Sequence, residues 1–209
     1  MLPIVVKRVI IGYSGHSYVV LDAAKKAEMH VDAYTEKEKR LQNPFLLDYL
    51  GFEGDENFEG WNNGYEFILG IGDNLVREKV AQLIVSKKEV LRSIIHPSAI
   101  IGSHVEIGNG SFIAAGALIN PLVSIGKAVI INTGAIIEHE CQIGNSVHIA
   151  PGTVLAGNVR VGDRSFIGSN AVIKEGVEIG NDVVIGQGSV ILNDVKSKSK
   201  VVGNPGRLL

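Results

Sequence analysis

The chain has 209 residues and a formal net charge of −2 at pH 7, so its charge gives no basis for general nucleic-acid binding. No stretch approaches the roughly 20 apolar residues of a membrane span. The N-terminal apolar run is too short for a signal peptide, and a single cysteine excludes an internal disulfide. We therefore expect a cytoplasmic protein with no membrane span and no nucleic-acid partner.

The first half of the chain, residues 1–90, has the pattern of an α/β domain. The apolar run 5–11 predicts a strand, and the glycine-containing segment 12–17 predicts a loop. An apolar stripe at helical spacing follows the loop. A glycine loop after a strand is common, but its backbone amides at a helix N-terminus also suit a phosphate group.

The same alternation continues toward residue 90. Residues 30–34 and 65–71 predict two further strands, and residues 75–85 predict a helix with Asp73 or Asn74 as its N-cap. Strand and helix in alternation indicate a small parallel sheet, so we expect an N-terminal Rossmann-like domain over residues 1–90.

From residue 95 the chain follows a period of six. Seventeen residues at this spacing, from Ile95 to Ile191, are all large aliphatics, with no insertion between them. The residue two positions earlier is always small or β-branched, and Cys141 is one of these. Period six indicates a repeat architecture in which one large and one small side chain per repeat fill a narrow prism.

This repeat predicts a parallel β-helix over residues 91–209. Three repeats make a coil of 18 residues, so the run gives about five coils, stacked at about 4.8 Å as neighbouring strands are. Glycine at many corners tolerates the positive φ that a tight turn needs. Cys141 is expected to pack in the interior.

Two polar residues at one corner of the β-helix suggest chemistry, because the repeat does not require them there. His139 and Glu140 follow the inward-facing Ile137. A carboxylate beside an imidazole fixes the orientation of the ring and raises its basicity. Such a pair suits a general base that deprotonates an amine or a hydroxyl.

The coil length also predicts which side chains share a site. His139 and His148 are nine residues apart, half of an 18-residue coil, so they should point to different sides of one prism. If both serve one site, that site lies between subunits. Asn132 comes sixteen residues before His148 and should group with it.

Five segments carry a resemblance to a known family. They read IIGYSGHSYVVLDAA, FILGIGDNLVREKVA, HPSAIIG, INTGAIIEHECQIGNSVHIAPGTVLAGNV and VVGNPGRLL. Together they resemble the bacterial nucleotide-sugar N-acetyltransferases, which acetylate the 4-amino group of UDP-linked amino sugars in bacillosamine-type glycan pathways. The resemblance implies a left-handed β-helix, which departs from the usual right-handed crossover rule. It also implies a homotrimer, acetyl-CoA as co-substrate and no metal.

The resemblance further implies roles for the two histidines and their neighbours. His139 would be the general base, and Glu140 would polarise it. His148 would contact the thioester region of acetyl-CoA, with Asn132 near the acceptor sugar.

The nucleotide sugar and coenzyme A would occupy different parts of the chain. The residues that the resemblance assigns to the nucleotide sugar are Ser14, Gly15, His16, Gly72, Asp73 and Asn74, with either Asp32 or Glu36 at the base. Coenzyme A would run along the later coils past Gly157, Ser169 and Gln187.

Four alternatives stay open at this point. Within the same superfamily, the acceptor is either a GDP-linked sugar of the perosamine type or a sugar hydroxyl, as in the sialic acid O-acetyltransferases. A zinc enzyme of the γ-carbonic anhydrase type lacks support, because the spacing of nine between His139 and His148 does not supply the close histidine pair of such a site. A non-catalytic scaffold would leave both the His–Glu corner and the glycine loop without a role.

Overall fold

The computed structural model describes residues 6–209. Its N-terminal part is a parallel sheet of five strands in the order β3-β2-β1-β4-β5. The elements are β1 (Arg8–Ile11), α1 (Gly15–Lys26), β2 (Ala33–Thr35), β3 (Asp48–Tyr49), β4 (Glu66–Leu69), α2 (Asn74–Ser86) and β5 (Val90–Leu91). The α/β prediction for this part is confirmed. Residue 5 of the predicted first strand lies outside the described residues.

The helix starts follow local capping chemistry. Before α1, the Ser14 backbone N–H donates to Ser17 Oγ at 2.8 Å. Before α2, Asp73 Oδ1 accepts from the Val76 backbone N–H at 2.9 Å. Asp73, and not Asn74, is therefore the N-cap of this helix. The second strand begins at Ala33, three residues later than the predicted start at residue 30, because Ala33 is the first residue that pairs with β1, opposite Val9.

Seventeen two-residue strands, β6 to β22, form the second part of the chain. In chain order they are Ile94–Ile95, Ile100–Ile101, Glu106–Ile107, Phe112–Ile113, Leu118–Ile119, Ser124–Ile125, Ile130–Ile131, Ile136–Ile137, Gln142–Ile143, His148–Ile149, Val154–Leu155, Arg160–Val161, Phe166–Ile167, Val172–Ile173, Glu178–Ile179, Val184–Ile185 and Val190–Ile191. Each pairs in parallel with the strand 18 residues away, as Ile130 does with His148. Three strands therefore make one coil, and the predicted period of six is confirmed without interruption. A short antiparallel pair, β23 (Lys200–Val202) and β24 (Arg207–Leu208), ends the chain.

The coils form a prism with three faces, which we name by what lies on them. The docked face consists of β6, β9, β12, β15, β18 and β21, the aliphatic face of β7, β10, β13, β16, β19 and β22, and the polar face of β8, β11, β14, β17 and β20. The outward side chains of the aliphatic face are Ile100, Leu118, Ile136, Val154, Val172 and Val190, whereas those of the polar face are Glu106, Ser124, Gln142, Arg160 and Glu178.

The predicted ladder of large aliphatics fills the interior of the prism. From Ile113 to Ile191 every member is buried. Ile95 and Ile101 at the start are 38% and 37% exposed, because no coil lies beneath them. Cys141 is fully buried, and burial raises the pKa of its thiol to about 11, in agreement with a packing role.

The N-terminal part packs directly on the β-helix. The outward side chains of the first strands of the docked face, Ile94, Phe112 and Ile130, are buried in one cluster with α1 residues such as Val20. Helix α2 packs on the corner between the polar and docked faces, where Ala128 joins the core of the N-terminal part. No helix in residues 6–209 is long and apolar enough to span a membrane.

Candidate active site

The His139–Glu140 corner lies between the aliphatic and polar faces. His139 Nδ1 is 3.0 Å from Glu140 Oε2, and the two side chains are 55% and 59% exposed. Glu140 has the positive φ of +61° that the corner requires, which turns its carboxylate toward the ring. Because a carboxylate is an acceptor, the ring's Nδ1 carries the proton and its Nε2 is left with a free lone pair. The arrangement therefore presents an open base at an accessible edge.

Gly157 lies one coil beyond His139 at the same corner. A Cβ atom built on Gly157 would come within 2.8 Å of His139 Nε2 and 2.7 Å of Cε1, so only glycine leaves room for the ring. In the part of the chain that the structure describes, the Gly157 backbone N–H donates to no protein acceptor. At the corner between the polar and docked faces, by contrast, the N–H groups of Lys127, Asn145 and Asp163 each donate to a side chain one coil above.

A second polar group, formed by His16, Asn132 and His148, lies where α1 meets the docked face. Asn132 Nδ2 is 3.1 Å from His148 Nε2, and Asn132 Oδ1 accepts from the Thr133 N–H at 2.8 Å. That second bond fixes the amide so that Nδ2 faces the ring, and His148 Nε2 is therefore the acceptor. The predicted grouping of Asn132 with His148 is present, with His139 at a different corner.

Burial beside Arg77 keeps both histidines of this group uncharged. Desolvation, reinforced by the charge of Arg77, lowers the pKa of His16 to about 4 and that of His148 to about 3. The His16 ring also packs edge-on against Phe112 at 5.7 Å and lies 6.3 Å from the His148 ring. His16 thus points to the junction with the β-helix, and its buried Nε2 has no hydrogen-bond partner in the part of the chain that the structure describes.

This pair predicts that acidification destabilises the protein. Because the folded-state pKa values of His16 and His148 lie below the ordinary value of 6.5, the unfolded chain binds protons that the folded chain does not. Each histidine should lower the free energy of unfolding by up to about 1.4 kcal/mol per pH unit as pH falls below about 6.5. Denaturant titrations at pH 7 and pH 5, at one protein concentration, measure this loss, which should shrink in His148→Gln. An equal loss in that variant would contradict the assignment.

The glycine loop and Glu36 meet at the carboxyl edge of the N-terminal sheet. Ser14 and Gly15 follow β1, and Glu36 follows β2, with Glu36 Oε2 accepting from the Tyr13 N–H at 3.3 Å and from Arg40 at 2.7 Å. Asp32 precedes β2 and accepts from the Arg8 N–H at 2.8 Å, so it lies at the opposite edge. Ligands of open parallel sheets bind at the carboxyl edge. The geometry therefore favours Glu36 over Asp32.

Of the three predicted residues after β4, one borders the second polar group. A Cβ atom on Gly72 would lie 3.8 Å from His16 Cβ. The Asp73 carboxylate is engaged as the N-cap of α2, and the Asn74 amide donates to the backbone carbonyls of Arg164 and Ser165 at 2.9 and 3.1 Å. The side chains of Asp73 and Asn74 thus serve the helix start and the contact with the β-helix.

The residues predicted to contact coenzyme A lie at two corners. Ser169 and Gln187 are 18 residues apart at the corner between the docked and aliphatic faces, whereas Gly157 lies with His139 on the other side of the aliphatic face. One chain does not bring all three together. Among residues 6–209, no three His, Cys, Asp or Glu side chains are placed to hold a metal ion.

The sequence interpretation missed Arg77, whose charge acts on both buried histidines. The available signal was its position on α2, because Arg77 lies on the same helix face as the buried residues Val80, Ala81 and Ile84. A charged side chain on the apolar stripe of a helix needs partners in the interior.

Comparison with known proteins agrees with this architecture. The family model of the PglD N-terminal domain matches residues 7–84, and that of the bacterial transferase hexapeptide (six repeats) matches residues 158–193. Comparison with curated proteins gave no significant match.

Several solved structures are similar over nearly the whole chain. The acetyltransferase domain of PglB from Neisseria gonorrhoeae is 28% identical with a TM-score of 0.90, covering 97% of this chain and 99% of that one, and it has also been solved with acetyl coenzyme A. PerB from Caulobacter crescentus, in complex with CoA and GDP-perosamine, is 30% identical with a TM-score of 0.88 and 98% coverage of both chains. WeeI from Acinetobacter baumannii is 25% identical with a TM-score of 0.87, covering 98% of this chain and 100% of that one. The left-handed winding of the β-helix follows from these matches, and the chain belongs to the family of bacterial nucleotide-sugar N-acetyltransferases.

Proposed function

We propose that this protein transfers the acetyl group of acetyl-CoA to the 4-amino group of a nucleotide-linked amino sugar, in the cytoplasm, for bacterial glycan synthesis. The observation that carries the proposal is the His139–Glu140 pair, with its open Nε2 at an accessible corner beside Gly157. The relatives with bound acetyl coenzyme A, or with CoA and GDP-perosamine, support the choice of donor and acceptor class.

The proposed reaction is direct transfer in a ternary complex. The sugar amine attacks the thioester carbonyl while His139 Nε2 takes its proton, and the tetrahedral intermediate collapses with departure of the CoA thiolate. Glu140 holds the ring so that Nε2 faces the amine. No covalent acetyl-enzyme is needed, since donor and acceptor react with each other.

A backbone N–H is the better candidate for binding the oxyanion of the intermediate. The other candidate donor is His148. His148 Nε2 accepts a hydrogen bond from Asn132 and so offers no proton there. The Gly157 N–H lies at the corner of His139 and has no acceptor within residues 6–209. We assign the oxyanion to Gly157 N–H; loss of one such donor typically lowers kcat by about 10²–10³-fold.

Gly157→Ala should lower kcat by roughly tenfold or more, because the new methyl group would displace the His139 ring. Gly157 has no positive φ, so alanine adds no backbone strain. A double-mutant cycle measures whether the effect passes through His139. In a His139→Ala background, Gly157→Ala should have little further effect on kcat; full additivity of the two losses would contradict the mechanism.

We also propose that the protein is a homotrimer whose subunits contact one another through the aliphatic face. Its six outward side chains are all aliphatic, and Ile100 and Val172 are 64% and 41% exposed in the single chain. A row of exposed and half-buried aliphatics along a whole face is typical of an interface. The His139 corner borders this face, so a neighbouring subunit would complete the site with its own Asn132 and His148.

The nucleotide is proposed to lie at the carboxyl edge of the N-terminal sheet. The backbone N–H groups around Ser14 and Gly15, at the start of α1, suit its phosphates, and the Glu36 carboxylate suits an N–H of the base. Ser169 and Gln187 are proposed to contact coenzyme A along the later coils.

The proposed acceptor is a UDP-linked 4-amino sugar. The resemblance of residues 129–158 to the UDP-4-amino-sugar enzymes favours a UDP-linked acceptor, and the complex of PerB with GDP-perosamine makes a GDP-linked sugar the alternative. The test is thiol release from acetyl-CoA against a panel of UDP- and GDP-linked 4-amino sugars and their 4-hydroxy counterparts, with the product identified by mass. Acetylation of the UDP-amino sugar is expected. Activity with hydroxyl acceptors alone would overturn the N-acetyltransferase assignment.

A further inference from the structure

Arg77 is a buried cation without a counter-ion in contact. It is 1% exposed, and in residues 6–209 no carboxylate lies within hydrogen-bond distance of its guanidinium. Its acceptors are the carbonyls of Ile71, Gly72, Ala128, Ser146 and Val147 and the side-chain oxygen of Asn74, at 2.7 to 3.3 Å. Burying a charge in this way is costly unless every donor is satisfied.

These acceptors belong to three separate parts of the molecule. Ala128 and Ser146 are 18 residues apart and form stacked corners, each with positive φ, so Arg77 Nε and Nη2 bind two successive coils. Nη1 donates to Gly72 at 2.8 Å. One planar group thus joins the loop after β4 to the β-helix, which lysine, with a single nitrogen, cannot do.

The loop that Arg77 holds borders the second polar group. Gly72 lies beside His16, and its backbone lies near enough to the His148 imidazole to raise the pKa of that ring, against the larger lowering by burial. His148 in turn accepts from Asn132. A continuous chain of contacts therefore runs from Arg77 through Gly72 to the side chains assigned to the acceptor sugar and the thioester.

We propose that Arg77 is a positioning residue of the acyl-transfer site, which sets the Gly72 loop, His148 and Asn132 relative to one another. It acts through these groups and touches neither substrate. The role in turnover rests on the proposed function, whereas the effect on the histidines does not.

The charge of Arg77 supports the same role. It faces His16 and His148, and it lowers the pKa of both beyond the effect of burial. A neutral His148 keeps the lone pair on Nε2 that holds Asn132. A protonated ring would repel both the guanidinium and the Asn132 amide, so the charge of Arg77 adds to the effect of burial in keeping the ring neutral.

The test compares Arg77→Met, Arg77→Lys and Arg164→Met. Arg164 is the matched control, because it also makes a contact between α2 and the β-helix. This β-helix residue binds Glu78 of α2 and Asp182 of the next coil, but its charge does not act on His148. Histidine side-chain NMR of the substrate-free protein gives the titrations of His16 and His148. Steady-state kinetics give KM for whichever nucleotide amino sugar the wild type accepts.

In Arg77→Met, both histidines should titrate about 1 pH unit higher, and KM for the nucleotide sugar should rise about tenfold or more. Arg77→Lys should retain the histidine titrations but show the raised KM, since it keeps the charge and loses the geometry. If Arg77→Met fails to fold, the KM of Arg77→Lys decides the question alone. Arg164→Met should leave both quantities near wild type.

Unchanged histidine titrations in a folded Arg77→Met would overturn the proposal even if the enzyme proved to have another activity. A wild-type KM in Arg77→Lys would overturn it too. Absence of acetyl transfer in the wild type would instead contradict the proposed function. The histidine titrations would then still test whether Arg77 acts on His16 and His148.

Discussion

His139→Ala should lower kcat by about 10²–10⁴-fold, the usual contribution of a general base. The imidazole is 55% exposed, and among residues 6–209 it hydrogen-bonds only to its neighbour Glu140, so its removal leaves no cavity. The free energy of unfolding should therefore stay within about 0.5 kcal/mol of wild type. Initial rates at saturating acetyl-CoA, with denaturant titrations of the same preparations, measure both quantities.

His104→Ala is the control for this experiment. His104 is also exposed, and it lies at the same corner two coils earlier, under Glu140. Its loss should change kcat by less than about twofold, because His104 is exposed and lies outside the proposed site. A His139→Ala enzyme that kept most of its activity would eliminate His139 as the base.

Leu118→Lys should dissociate the assembly and abolish acetyl transfer. Leu118 lies on the second of the six strands of the aliphatic face, between Ile100 and Ile136 of the neighbouring strands. A lysine there would have to lose its hydration in an apolar interface, which is far more costly than exposing it in a monomer. Because the proposed site combines His139 of one subunit with Asn132 and His148 of another, a monomer would have no complete site.

Light scattering during size-exclusion chromatography measures the change, against the 22.3 kDa of one chain. Wild type should have three times that mass and Leu118→Lys should have the mass of one chain. Ser124→Lys introduces the same charge at the equivalent position of the polar face and should remain trimeric. A trimeric, active Leu118→Lys would show that subunits meet elsewhere.

The β-helix was predictable almost residue by residue because its pattern repeats. A period of six that holds from Ile95 to Ile191 defines the inward positions, the 18-residue coil and the placement of His139 and His148 on different sides of the prism. The same arithmetic grouped Asn132 with His148, which the 3.1 Å hydrogen bond confirms. Reading the outward positions at intervals of 18 would also have revealed the aliphatic face.

The N-terminal part was less predictable, because its decisive features are tertiary. Strands β3 and β5 have two residues each, too few for a pattern. The choice between Asp32 and Glu36 depended on which end of β2 faces the glycine loop. The position of Arg77 on the apolar stripe of α2 indicates that the residue is buried, but its partners depend on α2 docking against the corners of the β-helix, which local sequence does not encode.

Subunit mixing tests most directly the central claim, acetyl transfer at a site shared by two subunits. His139→Ala and the double variant Asn132→Ala/His148→Ala would each be inactive, but mixed trimers would contain sites with His139 from one subunit and Asn132 and His148 from the next. After random mixing of equal amounts, about three-quarters of the trimers should contain both variants. Each of these has one intact site where a wild-type trimer has three, so about a quarter of the wild-type rate should return. A mixture no more active than its two components would contradict the shared site.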